Sequence, residues 1–173
     1  MLPKLTFVLG GAASGKSAFA ERLITESGAP RVYIATAQVY DSEMRDKVDK
    51  HIEMRGPNWQ TVEAPQDVVG ALALVQSDQV VLLDCATMWL TNHLLAENDI
   101  AAESKALVLA LQSCSGRVVV VSNEVGMGIV PDNALARQFR QEQGQLNQAL
   151  AEASDLAVFV VAGVPQVLKG QLP

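Results

Sequence analysis

Eight residues near the N-terminus, Gly10-Gly11-Ala12-Ala13-Ser14-Gly15-Lys16-Ser17, have the types and spacing of a phosphate-binding loop, G-x-x-x-x-G-K-[ST]. Gly10 and Gly15 admit backbone angles and close approaches that a Cβ forbids, so successive N–H groups can turn toward phosphate oxygens. Lys16 brings a mobile positive charge to the β- and γ-phosphates, and the Ser17 hydroxyl offers a magnesium ligand. Asp84 closes the apolar run Gln79-Val80-Val81-Leu82-Leu83 and suits a second magnesium-holding position. Its competing role is N-cap of the next helix.

Other chemistry-bearing residues are less committed. Met44, Val48 and Ile52 recur at helical spacing and predict a helix over 41–55. On its adjoining edge Lys47, His51 and Arg55 place an imidazole between two cations, which suits either a triphosphate or a solvated charged edge. Glu63 and Glu124 stand at or just beyond strand ends and serve either base, ribose and magnesium, or the surface. His93, within an apolar helical stretch, is expected to be packed rather than catalytic. Cys85 and Cys114 lack C-x-x-C spacing and are expected as buried thiols.

These residues need a scaffold, and the hydrophobic pattern supplies one. The run Leu5-Thr6-Phe7-Val8-Leu9 predicts the strand before the loop, and Phe19, Ala20, Leu23 and Ile24 the helix after it. Further strands are expected over 31–36, 61–63, 79–84, 117–122 and 156–161, with a short one at 167–168 and Gly163 and Pro165 in the turn before it. Helices are expected over 66–75, 87–97, 103–112 and 132–153. Segments 79–84 and 117–122 are almost continuously apolar, as in parallel strands buried on both faces. Alternation of the two element types implies an α/β fold, a mostly parallel sheet with helices on both faces. The glycine-containing loop 123–133 is long for a connector and fits a lid, a substrate contact or a subunit contact.

The 173 residues suit a single domain spanning 1–173. A net charge of −6 without basic clusters argues against nucleic-acid binding. No apolar run approaches the ~18 residues of a membrane span, and no signal-like layout opens the chain, so a cytoplasmic, non-membrane-spanning protein is expected.

Several stretches together resemble one family, the bifunctional adenosylcobinamide kinase / adenosylcobinamide-phosphate guanylyltransferases of cobalamin biosynthesis. They are the phosphate loop, Tyr33-Ile34-Ala35-Thr36-Ala37, Asp41-Ser42-Glu43-Met44, His51 with Arg55, Thr61-Val62-Glu63, Leu83-Asp84-Cys85, Thr91-Asn92 and Ser122-Asn123-Glu124-Val125-Gly126-Met127-Gly128-Ile129-Val130-Pro131. The last is far more diagnostic than the phosphate loop, which many families share. The resemblance implies a RecA-like P-loop NTPase fold assembled as a homotrimer. It also implies two reactions: phosphorylation of adenosylcobinamide by ATP or GTP, then transfer of GMP from GTP to the new phosphate through a GMP–histidine intermediate. The matching histidine is His51, with Lys16 as the second catalytic residue. Gly10, Gly11, Ala12, Ala13, Ser14, Gly15, Lys16 and Ser17 would hold the triphosphate. Ala35, Thr36, Arg55, Glu63 and Asp84 would contact nucleotide or Mg2+, the metal resting on Ser17 and Asp84. The loop from Asn123 to Pro131 and the helix residues near Trp89 are candidates for corrinoid contact. Two positions depart from the pattern: Ala13 stands where many members have arginine, and Lys50 where some have a first histidine. The competing activities are a P-loop kinase without nucleotidyl transfer and a RecA-like switch acting on a protein partner.

Overall fold

Short apolar segments of alternating facing build a single sheet. The computed structural model describes residues 1–38 and 58–173. Their elements are β1 (Leu5–Gly10), α1 (Lys16–Glu26), β2 (Arg31–Ala35), β3 (Trp59–Glu63), α2 (Val68–Ala73), β4 (Val80–Asp84), α3 (Ala86–Leu95), α4 (Ile100–Ser113), β5 (Arg117–Asn123), α5 (Ala134–Ala153), β6 (Leu156–Val161) and β7 (Val164–Lys169). The helix expected over 41–55, with Lys47, Lys50, His51 and Arg55, lies outside the described residues.

The seven strands lie in the order β3-β2-β4-β5-β1-β6-β7. Every pairing is parallel except β6 with β7. Strand alternation splits the core in two. Val8, Tyr33, Leu82, Val119, Val121, Val158 and Val160 pack with Phe19, Leu23 and Ile24 of α1. Phe7, Ile34, Leu83, Val118 and Val120 pack on the other side with Leu72, Trp89, Leu107, Leu111, Leu146 and Leu150 of the remaining helices. Val81, Leu82 and Leu83 of β4 and Val118 to Val121 of β5 are completely buried. Each such side chain contributes about 1.5–3 kcal/mol over an exposed one, which makes these two strands the rigid centre of the sheet.

Side-chain caps start four helices: Asp67 accepts from Gly70 N, Cys85 from Met88 N, Asp99 from Ala102 N and Asn133 from Ala136 N. The caps correct several expected boundaries. α4 begins at Ile100, well before Glu103, because Asp99 satisfies its first turn. α5 begins after Asn133 and not at Asp132. α2 is shorter than 66–75, since Asp67 fixes its start and the chain turns at Leu74. Pro165 is not in a turn: it pairs with Val160 inside β7, while Ala162 and Gly163, both with positive φ, make the hairpin bend. Proline is tolerated there because β7 is an edge strand and needs no donor on its outer side.

Candidate functional site

The same alternation that builds the core decides where the polar strand ends point. Gly10 follows Val8 by two residues, Ala35 follows Tyr33, Asp84 follows Leu82 and Asn123 follows Val121, so all four face the α1 side. Register puts them at the same end of the sheet on two successive levels: Ala35 pairs with both Asp84 and Glu63, Asp84 pairs with Val121, and Gly10 pairs with Asn123 two residues further on. Trp59 packs with the α1-side core, so Glu63, four residues on in β3, faces that side too. One edge of one face thus collects the phosphate loop, the first turn of α1, Ala35, Glu63, Asp84 and Asn123. In open α/β sheets this carboxyl edge is where ligands bind.

The loop itself is tightly framed. Gly15 caps α1 at φ 91° and Ala13 also has positive φ, at 54°. Ser14 N donates to Gly11 O at 3.3 Å and Lys16 Nζ donates to the same carbonyl at 3.2 Å. A Cβ on Gly10 would stand 2.4 Å from Ser14 Oγ and 2.8 Å from Val160 O, so only glycine fits. The β6–β7 bend backs the loop from outside: Gly163 N donates to Ser14 O at 2.8 Å. Short α1 then aims its N-terminal N–H groups and dipole along the loop, an anion-binding arrangement. Ser17 stands half-buried in its first turn.

Asp84 is held from behind. Thr36 is fully buried, and its Oγ1 donates to Cys85 O at 2.7 Å while accepting from Cys85 N at 2.8 Å. Asn92 Nδ2 in turn donates to Thr36 O at 2.8 Å and to Pro65 O at 2.9 Å. The Thr36 hydroxyl therefore positions the Asp84–Cys85 segment and is not itself presented to a nucleotide. Cys85, not Asp84, caps α3, which removes the capping role for the aspartate and leaves its carboxylate at the loop edge. Burial, and then the neighbouring Asp84 charge, push the Cys85 thiol up to about 11, while the Lys16 charge acts in the opposite direction. Lys16 is thus electrostatically within reach of the Asp84–Cys85 corner. A hydroxyl and a carboxylate at one edge are hard oxygen donors of the kind magnesium takes.

β5, between the loop strand and the aspartate strand, stands on a buried polar network that composition did not announce. Ser122 Oγ donates to Asn147 Oδ1 at 2.7 Å, and Gln143 Nε2 lies 3.0 Å from both Ser122 Oγ and Asn147 Oδ1. Thr87 Oγ1 accepts from Asn123 N at 2.8 Å, and Asn147 Nδ2 donates to Asn123 O at 3.1 Å. Glu124 N donates to Gly10 O, tying the end of β5 to the phosphate loop. The signal in the sequence was the pair Gln143 and Asn147 at i, i+4 on the buried stripe of α5.

Other expected residues fall as follows. His93 is buried, packed against Trp89 with the two rings tilted by 50°, and bonded to Asn98 Nδ2 at its Nδ1, a packed residue. Trp89 is also buried, with Nε1 donating to Gln66 O, so it offers no surface to a corrinoid. Cys85 and Cys114 are buried free thiols. Glu124 Oε1 accepts from Gly126 N and shapes the loop that follows, where Met127, Ile129 and Val130 are exposed. Among the described residues no group of three or more His, Cys, Asp or Glu could hold a metal, and no helix is long and apolar enough to cross a membrane.

The family model for cobinamide kinase / cobinamide phosphate guanyltransferase matches residues 6–168. The chain is 43% identical over 167 residues to the bifunctional adenosylcobalamin biosynthesis protein CobP of Pseudomonas aeruginosa, covering 95% of this chain and 96% of the relative. It is 40% identical over 181 residues to the Escherichia coli K12 protein CobU and 42% over 182 to that of Salmonella typhimurium, each covering 95% of this chain and 99% of the relative. Among solved structures, the RadB recombinase superposes with a TM-score of 0.50 at 19% identity, over 91% of this chain and 74% of that one. A Pyrococcus horikoshii OT3 protein superposes with 0.57 at 11% identity, over 98% and 88%. These two likenesses establish the RecA-like α/β fold and nothing finer.

Proposed function

The chain belongs to the cobinamide kinase / cobinamide phosphate guanyltransferase family, and from that membership we propose that it carries out both family reactions. A nucleoside triphosphate, ATP or GTP, phosphorylates the aminopropanol hydroxyl of adenosylcobinamide. GTP then transfers GMP to that phosphate through a GMP–His51 intermediate, giving adenosyl-GDP-cobinamide and pyrophosphate. The observation that carries this reading is the family match across nearly the whole chain, joined to a phosphate loop framed at the sheet edge that also presents Asp84.

In the phosphoryl step the loop N–H groups from Gly11 to Ser17 and the Lys16 ammonium hold the β- and γ-phosphates and offset the charge that develops as the terminal group transfers. Ser17 and Asp84 would hold Mg2+, which supplies charge neutralisation between the phosphates when bound. Ala35 and Glu63 border the same edge and are assigned to the nucleotide. Thr36 acts at one remove, by fixing the Asp84 corner. In the second step an imidazole nitrogen of His51 forms a bond to the α-phosphorus as the bond to pyrophosphate breaks; attack by the corrinoid phosphate then releases the histidine. Lys47, Lys50, His51 and Arg55 lie outside the described residues, and Arg55 keeps its assignment to the nucleotide from the family alone.

We assign residues 1–173 to one catalytic domain, working in the cytoplasm on small-molecule substrates and not on nucleic acid. The homotrimer of the family is carried over on the same footing, and sedimentation of the purified chain tests it. The decisive experiment on function incubates the protein with magnesium and GTP labelled at the α-phosphate. The expected result is one acid-labile, base-stable GMP adduct on His51, absent from His51→Asn, which keeps cobinamide phosphorylation. Cobinamide phosphorylation with no adduct in the wild type would leave a plain kinase.

A further inference from the structure

We propose that Asn123 contacts the corrinoid substrate in the phosphoryl step, its carboxamide oxygen receiving the hydrogen bond of the attacking hydroxyl. The inference rests on the function proposed above and adds a residue to it. Asn123 ends β5, the strand lying between β1, which carries the phosphate loop, and β4, which carries Asp84. It pairs with Gly10 and follows Val121, the partner of Asp84, by two residues. Alternation turns Ser122 toward α5, where Asn147 and Gln143 bind it, and so turns the Asn123 side chain to the α1 side, where the loop lies.

Every backbone group of Asn123 has a fixed partner, Thr87 Oγ1 for the N–H and Asn147 Nδ2 for the carbonyl. The next residue is pinned as well, through Glu124 N to Gly10 O. The side chain, by contrast, makes no hydrogen bond among the described residues, and its Oδ1 is buried without a partner. Unpaired buried oxygens also occur on the hydroxyls of Thr6 and Ser14, which can donate as well as accept, and on the amides of Asn92 and Gln143. Those two amides, however, spend their N–H groups inside the protein, on Thr36 O and Pro65 O and on Ser122 and Asn147 respectively. Among the described residues, only Asn123 combines a rigidly held backbone, an uncommitted carboxamide and a position between the phosphate loop and the aspartate.

A buried acceptor left unpaired is unfavourable until a donor arrives. The loop N–H groups and Lys16 face phosphate oxygens, which are acceptors and cannot satisfy Oδ1. An alcohol can. In the reaction the alcohol oxygen bonds to the γ-phosphorus, the bond from that phosphorus to the bridging oxygen breaks, its electron pair leaves with the nucleoside diphosphate, and the hydroxyl proton is released to solvent. Asn123 takes no proton; it holds the O–H so that the oxygen lone pair meets phosphorus in line. Guanylylation of His51 by GTP has no alcohol nucleophile and should not need this contact.

The test compares wild type, Asn123→Ala and the isostere Asn123→Asp in two assays on the full-length protein: cobinamide phosphorylation at saturating triphosphate, and GMP-adduct formation from GTP alone. Losing the contact is expected to lower kcat for phosphorylation about 10²-fold in Asn123→Ala, with adduct formation within about threefold of wild type. Asn123→Asp keeps an acceptor oxygen and should recover at least about tenfold of that loss. Full phosphorylation by Asn123→Ala, equal losses in the two variants, or parallel loss of both half-reactions would each overturn the inference while the family function stands. A wild-type chain that leaves cobinamide unphosphorylated would overturn both.

Discussion

Replacing Thr36 by valine tests whether the Asp84 corner depends on a single buried hydroxyl. Valine matches threonine in shape, so the perturbation removes the oxygen without opening a cavity. Two bonds disappear: Thr36 Oγ1 to Cys85 O at 2.7 Å and Cys85 N to Thr36 Oγ1 at 2.8 Å. The two losses are unequal. Cys85 O still accepts from Trp89 N at 3.2 Å, whereas Cys85 N is left unpaired beside a fully buried side chain. An unsatisfied buried donor costs about 1–3 kcal/mol. The expected destabilisation is therefore about 2 kcal/mol, and a chain of this length should lose roughly 4–8 °C of melting temperature. Because Cys85 adjoins Asp84, displacement of its amide also moves the carboxylate, and phosphorylation should fall about 10- to 100-fold. Thr36→Ser keeps the hydroxyl and loses one methyl, at about 1 kcal/mol, with activity close to wild type. Urea unfolding followed by circular dichroism and initial rates at saturating substrate measure both. A Thr36→Val protein as stable as wild type, or equal activity losses in valine and serine variants, would refute the reasoning.

Two further expectations follow from the same edge. Gly10→Ala places a Cβ 2.8 Å from the Val160 carbonyl, so the loop must shift; we expect about 1–3 kcal/mol of destabilisation and a marked fall in nucleotide affinity by calorimetry. Gly11→Ala, with nothing within 4 Å of its Cβ, should unfold like wild type. The Cys85 thiol gives a pH signature. It titrates near 9.0 in the unfolded chain and at about 11 in the fold, so the unfolded state loses its proton first. Its contribution is complete below pH 9 and disappears as pH rises toward 11, a total of about 2–3 kcal/mol. The unfolding free energies of wild type and Cys85→Ala should therefore change relative to each other by that amount between about pH 8.5 and 11; a constant difference across that interval would contradict it.

What could be read from the chain was whatever short-range pattern dictates. The phosphate loop, the buried runs of β4 and β5, and Asp84 at a strand end all depend on residues within a few positions of one another. The elements missed are those fixed at long range. Gly163 reads as an ordinary turn glycine, and nothing local shows that its N–H supports Ser14, nearly 150 residues earlier. The short strand expected at 167–168 lies inside β7, but the start of β7 at 164–166 reads as a turn because a proline and an exposed valine resemble one, whereas an edge strand tolerates both. The resemblance assigns Thr36 to the nucleotide, and nothing local shows that its hydroxyl is bonded to a residue 49 positions away.

Burying Ser122, Asn147 and Gln143 in an otherwise apolar layer is costly unless their hydrogen bonds are made. A valine in place of Ser122, matching Val118 and Val120, would pack the same face with no such requirement. What the polar set achieves that valine could not is to grip both backbone groups of Asn123, through Thr87 and Asn147, one residue before Glu124 binds Gly10. Thr36 does the corresponding work for β4 by clamping Cys85 beside Asp84. In both places the buried polar side chain lies behind the ligand edge and fixes backbone at or beside a residue of that edge, Asn123 in one and, through Cys85, Asp84 in the other. Polar residues in the core of this sheet are thus placed where backbone position at the edge matters, which is why removing one should affect turnover more than the loss of a single hydrogen bond affects stability.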